Sequence, residues 1–562
     1  MQPSKTTAGV LQTYFRFQER GARLSDEIWS GLGMCVLSVV GMFINMQLIA
    51  QLSISGSYGE STQAQIAANG ETYASIWFFT MLIAFAATLA MGLIAKLPVA
   101  QASSLGFSSV LISLIGTATG LTYANVLVLC MFGSLAYVLL VSIPAVRGFL
   151  KAGVPDSVRS ALPAAAGLLV AFVAVQLSGF VTVQGSGIVA YGPGTILPNI
   201  SSNVSLFSIV GWGSFGSATD KYNPQLLLNA IAMVIVLVTF LVAKRRSRHP
   251  FTMALLVGTV FFLVACVLLV CINWKNFKFS LDSLWARLWM VGAEDAVQYH
   301  LGAILASFSF GKVISEGMDF SGFVSGGGNV ILLALGSVVT FATMALADAV
   351  ATTEVVCASA VALDARRPEM QKALVVNAAT NVVAPFFGVS PIALDKSSYA
   401  GSEDRGRTGF SAVVCAIGFL VSAFVWVIPF FFSTVNSYDI TFNMVGHYGF
   451  VMQLLCQCGF SVADMMMVLV GLNMALRSLS QNWRKFSVSA AFVATVAGTL
   501  FTTNIAVGTA CGIVSYVTAE ASRKRQAVIK MGEEADVVKR IGMPTLILCA
   551  VSIVVIAFGL LA

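Results

Sequence analysis

The chain has 562 residues, 57% hydrophobic and 10% charged, with a formal net charge of +7 and a mean hydropathy of +0.86. A soluble domain carries about 25% charged residues, so this composition excludes a water-soluble globular protein and identifies a polytopic membrane protein. The basic excess is not a nucleic-acid signature, because Lys and Arg sit in short clusters beside apolar runs, as the positive-inside rule expects.

In chain order, residues 1–26 are polar and basic (Lys5, Arg16, Arg20, Arg23) and read as a cytoplasmic lead-in. Spans follow at Glu27–Ala50 and Tyr73–Ala95, separated by a loop with Glu60 and Glu71 but no Lys or Arg. Pro98–Gly120 differs in kind. It is rich in Ser and Gly and places Gln101, Ser103 and Ser104 where a continuous apolar helix would lie. That pattern predicts an extended piece leading into a half-helix, which a membrane tolerates only inside protein or beside a cavity. Further spans are expected at Tyr123–Pro144, Ser157–Phe180 (with Gln176), Gln225–Ala243 and Phe251–Ile272. Arg147, Lys151 and Arg159, and then Lys244–Arg248, mark internal loops. The segments before Gln225 and from Asn273 to Gly328 are external, the latter with an interfacial helix conceivable at Tyr299–Ile314.

The stretch Val338–Val361 is the centre of the pattern. Asp348 lies in the middle of an apolar run longer than the about 20 residues a span needs, and Glu354 follows it. An isolated charge at bilayer depth costs roughly 2.5–3.5 kcal/mol and persists when it faces a partner or a solute path. The alternative is a structural carboxylate hydrogen-bonded to nearby helix ends. Beyond Lys372–Phe387, the segment Gly388–Gly401 is again interrupted, by Pro391, Asp395 and Lys396, then Ser397 and Ser398. Spans are expected at Phe410–Phe432 and Ser461–Leu479. Ser487–Ala521 reads as a hairpin turning near Thr502–Asn504, and an apolar run closes the chain at Met543–Ala562.

Two interrupted segments at corresponding places in two halves point to a transporter's site at the bilayer midplane. Seven spans separate the halves, so they are expected to be inverted. The division is a cytoplasmic segment (1–26), a first repeat (27–272), an external insertion (273–328), a second repeat (329–521), a basic cytoplasmic segment (522–542) and a C-terminal apolar helix (543–562). The ten cysteines lie mostly in apolar runs, where they act as small hydrophobes, and the lone Cys456-x-Cys458 pair lacks the second pair of a metal site. The three histidines lie outside the interrupted segments, and no nucleophile, phosphate-loop or metal motif is present. An enzyme is therefore not expected, nor a cofactor. Gly508-x-x-x-Gly512 predicts close helix packing.

Several motifs resemble the nucleobase–cation symporter-2 family, and most closely its adenine/guanine/hypoxanthine permease branch. They are Tyr14–Leu32 with Glu19-Arg20-Gly21 and Glu27-Ile28, Asn45 and Gln47 in FINMQLI, LPVAQASSLGF (Leu97–Phe107), LLVAFVAVQLSG (Leu168–Gly179), KALVVNAATNVVAPFFG (Lys372–Gly388), Gly406-Arg407-Thr408-Gly409 and TNIAVGTACGIVSYV (Thr503–Val517). The resemblance implies an all-α fold of about 14 transmembrane elements. These form two inverted seven-helix repeats, with short strands in broken elements 3 and 10, sorted into core and gate domains. It also implies a nucleobase moved with a coupling cation, H⁺ or Na⁺, and commonly a homodimer. The bacterial inner membrane is the expected location.

The site departs from the branch. Of the two carboxylates expected in the eighth span, one falls on Asp348 and the other on Ala345; the Glu of element 10 falls on Ser397, and a ninth-span Asp on Asn377. The expected solute residues are Asp348, Ser103, Ser104, Ser397, Ser398, Asn45, Gln101 and Lys396, with Asp348 and Glu354 as coupling-ion residues. A small-anion carrier on the same fold, with Lys396 as counter-charge, is the competing reading, and a non-transporting scaffold or sensor the third. For Lys396 itself, an ion pair with Asp348 or Asp395, or snorkelling, stands beside a solute role.

Overall fold

The computed structural model describes residues 12–55, 70–104, 106–108, 110–111, 121, 123–177, 224–272, 327–360, 366–423, 450–479, 483, 485–531 and 541–561. The expected external loop before Gln225 and the Tyr299–Ile314 piece lie outside these. In chain order the helices are α1 (Leu24–Ser55), α2 (Gly70–Ala90, continued by one π turn, Met91–Ala95), α3 (Tyr123–Ser142), α4 (Pro144–Gly153), α5 (Asp156–Leu177), α6 (Pro224–Arg246) and α7 (Pro250–Ile272). They continue as α8 (Gly327–Ala360), α9 (Arg366–Val383), the short α10 (Ser397–Glu403), α11 (Gly409–Ala423), α12 (Phe450–Ser478), α13 (Phe486–Thr502), α14 (Ile505–Met531) and α15 (Met543–Leu561). Strand β1 (Gln101–Ser103) lies between α2 and α3, and β2 (Ile392–Leu394) between α9 and α10.

The helices form because apolar runs in lipid must satisfy every backbone N–H and C=O internally. Five helices among the described residues are long and apolar enough to cross a membrane, within Phe78–Ala95, Asn125–Ser142, Asp156–Val175, Val330–Ala360 and Ile505–Arg523. Large aliphatics are exposed on the outward faces, such as Leu139 and Leu335 on two of these helices and Val421 and Leu476 on α11 and α12. In water these would be a liability; against acyl chains they are the expected surface of a multi-pass membrane protein.

The two interruptions have local causes. Lys96 ends the α2 region in the left-handed conformation, and Gly388 does the same after the turn Ala384–Phe387. Pro98 and Pro391 follow, and proline drives the residue before it to extended geometry. The short strands that result pair with each other, antiparallel, with Gln101 opposite Leu394, Ala102 opposite Ala393 and Ser103 opposite Ile392. Each strand thus supplies the backbone partners the other lacks.

Helix contacts repeat with the halves exchanged. α1 and α2 pack on α11, while α8 and α9 pack on α3. α6 and α7 pack together and on α12, while α13 and α14 pack together and on α5. α5 and α12 cross closely at Gly167 and Gly471, where a Cβ on either would strike the other's carbonyl. Gly508 and Gly512 lie against Thr499 and Thr495 of α13, the close packing their spacing predicts. The hairpin turn falls at Thr503, in the left-handed region. Several helices run past the expected spans: α8 starts at Gly327, α12 at Phe450, ahead of the expected Ser461, and α14 continues to Met531, into the expected basic segment.

Candidate functional site

The strand pair is held from behind by polar side chains. Gln101 donates through Nε2 to the Ala87 carbonyl (3.0 Å), and Thr88 Oγ1 accepts from its backbone N–H (2.9 Å). Asn377 on α9 donates through Nδ2 to Gln101 Oε1 and to the Ile392 carbonyl, both at 2.9 Å. Asn381 Oδ1, one turn on, accepts from the Ile392 N–H (2.6 Å). Ser398 Oγ accepts from the Ala100 N–H (2.9 Å), and the Asp395 N–H donates to the Ala100 carbonyl (2.9 Å). A buried amide without a partner costs about 1–3 kcal/mol, so these side chains are what lets a two-strand ladder exist among helices.

In front of the strands lies a cavity of about 120 Å³. Its walls come from α1, the β1 segment, α5, α8, the β2 segment, α12 and the turn at Thr503. Asp348, Lys396, Ser103 and Ser104 line it, together with Asp395 and Asp464. Lys396 Nζ donates to both oxygens of Asp348, at 2.5 and 2.6 Å, and both side chains are about nine-tenths buried. The pair ties β2–α10 to α8, reinforced by Thr352 Oγ1, which donates to the Leu394 carbonyl (3.3 Å). Asp395 accepts from the hydroxyls of Ser38 and Ser397.

Of the sequence-derived residues, the structure brings Asp348, Lys396, Ser103 and Ser104 to one cavity. Asn45 stands just behind, donating to Ser103 Oγ (2.5 Å). Gln101, Ser397 and Ser398 are buried but engaged in holding the strands and Asp395. Glu354 is elsewhere. It lies six residues beyond Asp348 on α8, 3.5 Å from Arg159 of α5, with its side chain about a third exposed.

The sequence reading passed over Asn381 and Asp464 and named Asn377 only as a departure from the branch. Asn377 and Asn381 are buried and serve the strands. Asp464 lines the cavity from α12, is buried, and has an oxygen, Oδ2, with no hydrogen-bond partner. The signal was present, an acid within an apolar run. However, a span beginning at Ser461 puts Asp464 at its outer end, whereas α12 as folded puts it fourteen residues from either end.

No family model matches the chain. Among curated proteins it is similar to the adenine permease AdeQ of Escherichia coli (strain K12), 22% identical over 515 residues that cover 91% of this chain and 90% of that protein. The adenine permease AdeP of the same organism is 24% identical over 419 residues (74% of this chain, 75% of AdeP). The guanine/hypoxanthine permease PbuO of Bacillus subtilis (strain 168) is 20% identical over 513 residues (91% and 94%). Among solved structures it is similar to the transmembrane domain of a cyanobacterium bicarbonate transporter, BicA. That match has a TM-score of 0.41 at 16% identity and covers 88% of this chain and 96% of that one. It is also similar to the murine anion transporter Slc26a9 in the inward-facing state, with a TM-score of 0.44 at 13% identity and coverage of 92% and 73%. The resemblance carried by the motifs therefore extends over most of the chain, and its curated relatives are permeases rather than enzymes.

Proposed function

We propose that this relative of the adenine and guanine/hypoxanthine permeases is a secondary active transporter of a purine-like nucleobase, coupled to H⁺ or Na⁺ and working by alternating access. The observation that carries the reading is the relatedness over nine-tenths of the chain to permeases named for purine bases. The cavity in front of the paired strands fits it, with hydroxyls, an ammonium and carboxylates set among apolar side chains. Such a mixture suits a flat heterocycle bearing both donors and acceptors.

The exchanged helix contacts support two inverted seven-element repeats. In this reading α1–α3 and α8–α11 with both strands form a core domain. α5–α7 and α12–α14 form a gate, in which α5 and α12 cross closely at Gly167 and Gly471. The cavity lies where α5 and α12 meet the strand segments, so rocking of one group against the other would open it to either side. Asp348, Ser103, Ser104 and Lys396 are proposed to bind the solute, with Asn45 positioning Ser103. Because Lys396 is spent on Asp348, no uncompensated positive side chain lines the cavity among the described residues. That removes the observation that would favour an anion carrier.

The test is ligand stabilisation of the purified protein by adenine, guanine and hypoxanthine, with bicarbonate and sulfate as comparators. A ligand that binds only the folded state adds about 2.7 kcal/mol at a hundredfold excess over its Kd. Uptake of labelled base into proteoliposomes, driven by an imposed proton or sodium gradient, then identifies the coupling ion. Stabilisation by the anions alone would overturn the reading.

A further inference from the structure

Three carboxylates face the cavity, and two are already engaged. Asp348 gives both oxygens to Lys396, and Asp395 is held by Ser38 and Ser397. The third, Asp464, is the central residue of α12. It is buried to 3% exposure, and its Oδ2 has no hydrogen-bond partner. Its neighbours in the cavity wall, Ala463 and Met467 of α12 and Val170, Val173 and Ala174 of α5, are all apolar. Buried side-chain oxygens are nearly always hydrogen-bonded, and leaving one unpaired is costly. A carboxylate kept in the middle of a span, in the wall of a cavity and without a fixed partner, marks a place for a partner that comes and goes.

We propose that Asp464 is the acceptor that reads the solute, taking a ring N–H of a neutral nitrogen heterocycle. The proposal rests on the functional reading above and names the residue and the chemical class behind it. The α5–α12 wall supplies the acceptor. The wall made by the β1 and β2 segments supplies donors, through the hydroxyls of Ser103 and Ser104 and the Lys396 ammonium. A neutral heterocycle with both N–H and ring-nitrogen or carbonyl groups can satisfy the two walls at once. A solute spanning both walls would also tie gate to core only when bound, which alternating access requires.

The experiment measures equilibrium binding of radiolabelled adenine and hypoxanthine to the purified full chain and to its Asp464→Asn and Asp464→Leu variants. Analogues methylated at individual ring nitrogens serve as competitors. The expected result is at least tenfold weaker binding in Asp464→Asn and a larger loss in Asp464→Leu. The variants should also lose the parent's preference for the base over the one analogue whose methyl group blocks the N–H in question. The Tm without ligand should stay at or above the parent's in both, since no protein partner is stranded. Parent-like affinity and discrimination in either variant would overturn the proposal, as would a lowered unliganded Tm with unchanged affinity, which assigns Asp464 to structure. If the parent itself binds none of these bases, the functional reading fails, and that outcome is distinct from a parent that binds and a variant that binds equally well.

Discussion

The Asp348–Lys396 pair turns an intramembrane charge into a strut. Alone, either group would be an isolated charge at bilayer depth; together they form a two-point hydrogen-bonded pair joining α8 to β2–α10. Removing one member of a buried pair costs roughly 3–5 kcal/mol, because the other is left uncompensated, whereas removing both is often nearly neutral. Asp348→Asn should therefore lower the Tm of the unliganded protein clearly, and the double variant Asp348→Asn/Lys396→Gln should recover most of the loss. Thermal unfolding in one detergent checks this. A single variant as stable as the parent would show that the pair is not a strut and would return Asp348 to a solute-facing role alone. The sequence left both readings of Lys396 open, since nothing in GVSPIALDKSSYAG says which acid its ammonium meets.

At the scale of elements, the breaks were legible and the pairing was not. Pro98, Pro391 and the runs of Ser after each announce interrupted helices by local chemistry alone. The antiparallel register depends on Asn377 and Asn381, which look like ordinary polar residues in a span until α9 is seen to lie behind both strands. The start of α12 was hidden for a similar reason, as Gln453 and Gln457 depress the hydropathy of a stretch that is helical nonetheless. Another tertiary arrangement invisible to spacing is the cap of α7. Asp404, in the turn between α10 and α11, accepts from the N–H groups of Phe251 (2.9 Å) and Thr252 (2.6 Å) and from the Thr252 hydroxyl (2.6 Å). Burial pushes its carboxyl from 3.8 up to about 6, against the downward pull of Thr252 and Phe251 and of nearby His249. The folded state thus holds this proton more tightly than the unfolded one. Its contribution to stability is fully present below the unfolded value and is lost as pH rises through the folded value. Asp404→Asn removes the titration, so the Tm difference between parent and variant should change across the interval from 3.8 to about 6 and level off above it. A difference constant over that interval would mean that Asp404 does not titrate there.

For the whole molecule, sidedness follows from contacts that gather distant basic segments at one end of the bundle. Arg20 of the N-terminal arm donates to both oxygens of Glu369 (2.6 Å each) and to the carbonyls of Lys96 (2.7 Å) and Arg407 (2.8 Å). Glu27 accepts from the N–H groups of Arg407, Thr408 and Ser411 and from the Ser411 hydroxyl, so two of the motifs shared with the permease branch clasp each other across 380 residues. His249, just past the Lys244–Arg246 end of α6, joins the same face through Asp26 (3.3 Å) and the Asp404 carbonyl (2.9 Å). Arg477 at the end of α12 reaches Glu403 there as well. The N-terminal arm, the α2 end, the α6–α7 turn, the α10–α11 turn and the α12 end therefore share one side whatever its identity. The positive-inside rule, by which basic loops are retained in the cytoplasm during insertion, makes the cytoplasm the side we propose for this face. Ser247, in the α6–α7 turn between Arg246 and Arg248, is the position to probe. A cysteine introduced at Ser247, in a background with the native thiols replaced, should resist a membrane-impermeant maleimide in intact cells and react once the membrane is permeabilised. Labelling in intact cells would invert the whole face at once, since the hydrogen bonds that hold these segments together allow no mixed topology.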